Sequence, residues 1–450
     1  MRVRPPNPGT ASGGPRSIPA FARISRFAQS GPSPGLRGGS DRDPRADEVR
    51  GRRSLILALA LALAWALPAA AAAAETPPVF REEVPGIATA HVARDEPWSI
   101  HVVRVDRSRP GLRFFPSLAF HDRIGLNPLS DQVALFPKSL GTPVAAINGD
   151  FYAIENDPLP GDPRGLLIQQ GGLVSAPIDR DCLWFDDAGT PHIDTVQPRF
   201  TVRVGDSEPV AFGLNEDFDG SRPVVLTHAA SQAIEWDPPS GWILSRDGSH
   251  PWLPLKAGQR LRAVVQGPVQ SHRPPLGPDR LILRAGPGWR DTLRPGAPVV
   301  LDLNTEPSLG AAVSALGGGP ALVHRGRPTG KSAARSFERH PRSAFGWNDR
   351  HCFLAVVDGR QAGLSVGMTL AEWSEFLVEV GCQEAVNLDG GGSTELIAGD
   401  RILNSPCYGR ERATATGLLV VRLALGSAPS PAPATAPAPS PRTEGGVRTP

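Results

Sequence analysis

Two apolar runs, "HCFLAVVDG" at 351–359 and "QEAVNLDG" at 383–390, bracket one amphipathic segment, "TLAEWSEFLVEVG" at 369–381. This succession constrains the fold more than any other stretch of the chain. Thr369 and Glu372 have the T-x-x-E spacing in which each side chain satisfies the other's backbone amide, and that starts a helix. Leu370, Trp373, Phe376, Leu377 and Val380 recur at helical spacing and make one apolar face. Gly381 can take the left-handed conformation that ends the helix. Strand, helix and strand then form a βαβ-like unit around 351–392. Such a crossover runs its strands parallel, so their C-terminal ends share one edge of a sheet. Asp358 ends the first run and Asp389 the second. Two carboxylates are therefore expected on one rim, where ligand sites collect in sheets with crossovers.

The rest of the body reads as short strands, because 49 glycines and 49 prolines punctuate the chain too often for long helices. Strands are expected at 98–105, 143–148, 222–227, 260–267 and 298–304, with a hairpin turning at Gly171-Gly172. A second helix is expected within 127–141. The expected fold class is α+β: mainly short β-strands in mixed sheets with a few helices.

The two ends differ from this body. Residues 1–50 are rich in Pro, Gly, Ser and Arg without apolar periodicity, and are read as a disordered or misannotated leader. Arg52-Arg53, an apolar run from Leu55 to Leu67 and an alanine tract ending at Ala74 read as a signal peptide over 51–74. A start at Val49 would give it an ordinary length, and the alternative is an uncleaved anchor. The reading implies a secreted or periplasmic protein with no stable membrane span after cleavage. A Pro/Ala-rich disordered tail fills 427–450, which leaves 78–424 as the folded domain.

Residues 1–74 hold 11 arginines and 4 acidic residues, a net of +7, so a whole-chain charge of +2 leaves −5 for the remainder. A mildly acidic body without a basic stripe argues against nucleic acid as a partner. The four cysteines, Cys182, Cys352, Cys382 and Cys407, have no C-x-x-C spacing. If any pair is bridged, Cys352–Cys382 is the expected one, since both sit beside strands that lead into glycine turns; free buried thiols are the alternative.

Polar residues gather at strand ends in four places: Asn148 and Asp150 in "AINGDFY", the glycines of "GGGPAL" at 317–322, Arg342 in "RHPRSAFG", and Asp358 with the "LDGGGST" loop of Asp389, Gly390, Gly391, Gly392, Ser393 and Thr394. Each alone reads as a turn or a surface charge. Together they suggest chemistry. Consecutive glycines let backbone approach an anion closely, hydroxyls add donors, and arginine offers a permanently charged fork for phosphate oxygens. Aspartates at such a place can serve as acid, base or nucleophile at a sugar carbon. No Walker-type G-x-x-x-x-G-K-[ST] is present. No cofactor is expected, although three aspartates could also hold Mg²⁺ or Ca²⁺. Two other classes stay open: a non-catalytic envelope glycan-binding protein, and a metal-dependent phosphodiesterase.

In order along the chain, "INGDFY", "GGGPALVHRG", "RHPRSAFGW", "LAVVDGRQ", "LDGGGSTEL" and "ILN…GRERATATGLLV" resemble the phosphodiester glycosidase family, which includes the lysosomal "uncovering enzyme". The resemblance runs from about 143 to 421, is most specific over 337–421 and is loose over 200–300. It implies hydrolysis of a sugar-1-phosphodiester, small or polymeric, at its glycosidic side. It implies roles for Asp389, Asp358 and Asp150 in catalysis. Arg342, Asn148 and the 390–394 loop would bind substrate and phosphate, with Asn404 and Arg412 in a weaker C-terminal motif.

Overall fold

The computed structural model describes residues 78–424 except 231–240, 249–251, 272–275, 278 and 334–336, all within one unit, Thr76–Pro450. The leader, the signal peptide and the C-terminal tail read from the sequence lie outside the described residues. The protein is mostly β, which corrects the α+β expectation: its strands form sheets of eight, twelve and five members. Helix is confined to short pieces. The segment expected to be helical over 127–141 forms only Leu129–Ala134, because Pro137 cannot extend it. The capped segment forms Leu370–Glu379, with the reciprocal Thr369–Glu372 bonds present. No helix among the described residues is long and apolar enough to cross a membrane.

The three sheets share one core. Val103, Phe345, Leu354 and Val386 from the eight-stranded sheet meet Ile147, Leu396 and Leu418 from the five-stranded sheet and Leu183, Phe185 and Leu316 from the twelve-stranded one. One ring comes from each sheet at its centre. The fully buried Phe345 stands edge-on to Phe114 at 5.2 Å and to Phe185 at 5.7 Å between centroids, an arrangement that aromatic quadrupoles favour.

The crossover differs from its expected form. The strands His351–Val357 and Glu384–Asn387 are not neighbours, because Arg342–Trp347 lies between them and pairs antiparallel with both. They therefore run parallel, as expected, but one strand apart. The helix Leu370–Glu379 covers the outer face of this sheet, packing Trp373, Phe376 and Leu377 with Val102, Phe353, Ala355 and Ala385. In the five-stranded sheet, Gly141–Asn148 is central and pairs with both Leu396–Ala398 and Thr416–Leu423. That pairing delivers residues 148–150 to the glycine loop that follows Glu384–Asn387.

No disulfide joins Cys352 to Cys382; all four cysteines are free. Burial pushes the Cys352 thiol up to about 12 and the Cys382 thiol up as well.

Candidate active site

Asn148, wholly buried, joins three separate segments. Its Nδ2 donates to the Asp389 carbonyl (2.6 Å), while its Oδ1 accepts from Ser343 Oγ (2.7 Å) and from the Glu395 amide (3.1 Å). Alongside it the Asp389 amide donates to the Gly149 carbonyl at 3.0 Å. The Asp150 amide donates to Thr416 Oγ1, also at 3.0 Å. These bonds fix Asp150 and Asp389 in one place although 239 positions separate their numbers.

The Asp150 side chain is buried, and its Oδ1 accepts from Arg180 Nη2 at 3.0 Å. Its Oδ2 has no hydrogen-bond partner among the described residues. Two glycines keep the space around that oxygen clear: a Cβ on Gly165 would lie 2.5 Å from it, and one on Gly317 would overlap it. Burial raises the Asp150 carboxyl to about 7, against the opposing pull of Arg180 and the Phe151 amide, and the charge of Asp389 adds to the rise. Burial likewise raises Asp389 to about 6, opposed by the Ser393 hydroxyl, the Gly390 amide, Arg412 and Arg180. Burial thus raises both neighbouring carboxyls toward neutrality, a perturbation that clusters at functional sites.

The glycine loop is built differently from an anion cradle. The Gly390 amide donates to Asp389 Oδ1 (2.9 Å) and the Gly391 amide to the Pro341 carbonyl (2.9 Å). The Ser393 amide donates to the Gly390 carbonyl at 3.2 Å. The three glycines answer three different neighbours instead. A Cβ on Gly390 would lie 2.7 Å from the Pro341 carbonyl, and one on Gly391, at φ +61°, would lie 3.2 Å from the Arg360 guanidinium. On Gly392 it would overlap the Tyr408 ring. Consecutive glycines here let a carbonyl, a cation and an aromatic ring all touch backbone.

Positive charge at the site comes from arginines. Arg180 and Arg412 both act on Asp389, and Arg412 lies over the Tyr152 ring at 5.5 Å. The Tyr152 hydroxyl lies 3.3 Å from Ser393 Oγ and donates to the Ala413 carbonyl. Arg342 donates to the carbonyls of Met368 (2.9 Å) and Glu338 (3.0 Å). Burial and the adjacent Arg360 lower it to about 10. Arg180 is absent from the sequence-derived set. Its only local signal is a charge just before the apolar run "CLWF", and nothing in that motif points 30 residues back to Asp150.

Asp358 is held elsewhere on the rim. Its Oδ1 accepts from Asn404 Nδ2 (3.2 Å) and the Ser405 amide (2.9 Å), and its Oδ2 lies 3.4 Å from His101 Nε2. Asn404 in turn accepts from the Leu396 amide and donates to the Thr394 carbonyl. Asp358 and Asn404 thus brace the loop that lies over the glycines, while Asp150 and Asp389 face each other's charge. Among the described residues no three His, Cys, Asp or Glu side chains come together at metal-binding distance.

Fold and site together define a mostly-β protein with two interacting carboxyls, ringed by arginines, where its sheets meet. Residues 283–421 match the sequence model of the phosphodiester glycosidase family. Asp150 and Arg180 lie outside the matched residues. Among solved structures, a hypothetical protein from Synechocystis superposes with a TM-score of 0.60 at 20% identity, over 78% of this chain and 65% of its own. The chain thus spans just under two thirds of that protein. A candidate exported protein from Burkholderia pseudomallei gives 0.55 at 20% identity, over 72% and 74% of the two chains. The catalytic domain of zebrafish N-acetylglucosamine-1-phosphodiester α-N-acetylglucosaminidase, auto-inhibited by its pro-peptide, gives 0.39 at 14% identity, over 77% and 88%. No curated protein matches the chain in sequence.

Proposed function

We propose that the protein hydrolyses the glycosidic bond of a sugar-1-phosphodiester, releasing free sugar and a phosphomonoester, and that residues 51–74 direct its export. The observation that carries this reading is the pairing of Asp150 and Asp389, two carboxyls poised at about 7 and about 6 beside Arg180 and Arg412. We assign the negative charge of the pair to Asp389, whose Oδ1 accepts from the Gly390 amide, and the proton to Asp150. Asp389 then acts as nucleophile, or as base toward water, at the anomeric carbon. The bond from that carbon to the phosphate oxygen breaks, and its electron pair leaves with the phosphate. The departing phosphomonoester is a weak base, so arginine charge stabilises it more than a proton would. Asp150 supplies a neutral hydrogen-bond donor that does not repel the anion. Water completes the reaction, its oxygen joining the anomeric carbon and its proton passing to a carboxylate.

The test uses the chain beginning at Glu75, a panel of p-nitrophenyl sugar-1-phosphodiesters and nucleotide sugars, and product identification. Free sugar is expected, whereas sugar phosphate would indicate a phosphoesterase. Asp389→Asn is expected to lose at least about 10³-fold in kcat. A folded Asp389→Asn protein with the full rate would remove the proposal.

A further inference from the structure

Tyr408 has no part in the chemistry above. It is 61% exposed, yet its position is tightly specified. Its ring lies on Gly392 so closely that any side chain there would overlap it. Its loop is fastened from behind. The Ser405 amide donates to Asp358, Ser405 Oγ donates to Gln361 Oε1 at 2.8 Å, and Gln361 Nε2 donates to the Ser405 carbonyl at 2.8 Å. One residue before the ring, Cys407 Sγ sits 3.8 Å from the Gly391 carbonyl. An exposed aromatic side chain ordinarily samples several rotamers. Here a buried carboxylate, a glutamine and a glycine are all arranged so that one face stays at the site and the rest meets solvent.

The site is graded in depth. Asp150 is buried. The Arg360 guanidinium beside Gly391 and the Tyr408 ring on Gly392 are both exposed. With the anomeric carbon at the carboxyls and the phosphate at the arginines, the group on the far side of the phosphate emerges at Tyr408. We infer that Tyr408 is a stacking platform for a ring-bearing leaving group, and that Asp358 is a positioning residue acting through Ser405 to hold that platform. The shared chemistry is a flat ring face, aromatic or pyranose, against an aromatic ring. The inference rests on the glycosidase reading for its orientation and is tested separately from it.

Two measurements decide it. In turnover, the methyl, phenyl and hexopyranosyl phosphodiesters of one sugar are compared. Tyr408→Ala is expected to raise KM about tenfold for the ring-bearing substrates, leave the methyl one unchanged and leave kcat unchanged, with Tyr408→Phe restoring the wild-type pattern. A larger effect on the phenyl than on the hexopyranosyl arm identifies an aromatic group, and the reverse a sugar. Asp358→Ala should raise KM for the ring-bearing substrates more than for the methyl one, and Asp358→Asn, which keeps an acceptor for the Ser405 amide, should recover most of that difference. In binding, calorimetry of phenyl phosphate against methyl phosphate reads the platform without turnover. Wild type should prefer phenyl about tenfold and Tyr408→Ala should lose the preference. Equal affinity of wild type for the two phosphates, or an equal KM change on all substrates, overturns the inference. Absence of turnover with the phenyl preference intact removes only the glycosidase reading.

Discussion

Replacing Arg180 by methionine keeps most of the side-chain stem and removes the guanidinium that pairs with Asp150 Oδ1 at 3.0 Å. A cation in such contact holds a carboxyl down by about 1–3 pKa units, equivalent to roughly 1.4–4 kcal/mol. Asp150 stands at about 7 with that cation in place. Without it the carboxyl rises to about 8–10. Asp389 moves less, because Arg180 is the smallest of the influences that lower it. If activity needs Asp389 ionised and Asp150 protonated, the wild-type profile of kcat/KM is a narrow bell with apparent limbs near 6 and 7. In Arg180→Met the alkaline limb moves up by about 1–3 units and the acid limb by under one, so the bell broadens as its height falls. The assay is free-sugar release from one phosphodiester between about pH 4 and 10. An alkaline limb that stays in place would refute the reasoning, since the proton whose loss ends activity would then not be on Asp150.

Glu395 is buried, and burial and Glu411 push its carboxyl up to about 9. Its folded value lies above the unfolded one, so its contribution is fully present below about 4 and is lost as pH rises toward 9. Glu395→Gln should therefore stabilise the protein by about 1–3 kcal/mol at pH 8 and by little near pH 4, measured by denaturant unfolding at both. Phe345→Ala removes the ring that touches all three sheets and should cost about 3–5 kcal/mol by the same measurement. Gly392→Ala should displace the exposed Tyr408 ring at a stability cost within about 1 kcal/mol, while abolishing the phenyl-over-methyl preference in calorimetry.

What the sequence makes readable here is what short-range chemistry specifies. The Thr369–Glu372 box, the apolar face that follows it and the turn at Gly171 depend on residues within one or two turns of each other, and all three are present. Asn148, Asp150 and Asp389 lie at or just past strand ends, as the sequence suggests, whereas the shared rim is expected for Asp358 and Asp389. The fold class is not readable in that way. The crossover at 351–392 is the chain's most legible unit and invites generalisation. Yet the strand between its two halves, Arg342–Trp347, precedes both in sequence, and the described strands between 180 and 306 pair antiparallel except for the short parallel pair Gly213–Leu214 and Val224–Leu226. The glycine triplet shows the same limit. Its reasons are Pro341, Arg360 and Tyr408, each at a distance that no local pattern encodes. Arg180 is hidden likewise, because an ion pair across 30 residues leaves no periodic trace.

The position of the strand Gly141–Asn148 has a practical consequence. It lies outside the family-matched residues 283–421, yet two strands that begin inside that range, Leu396–Ala398 and Thr416–Leu423, both hydrogen-bond to it. A fragment cut at the limits of recognisable similarity would lack Asp150, and it would leave those two strands with open edges, which recruit other chains. In this protein the stretch that the family's sequence model matches is smaller than the folded unit, and any survey that trims sequences to the match would discard half of the carboxyl pair.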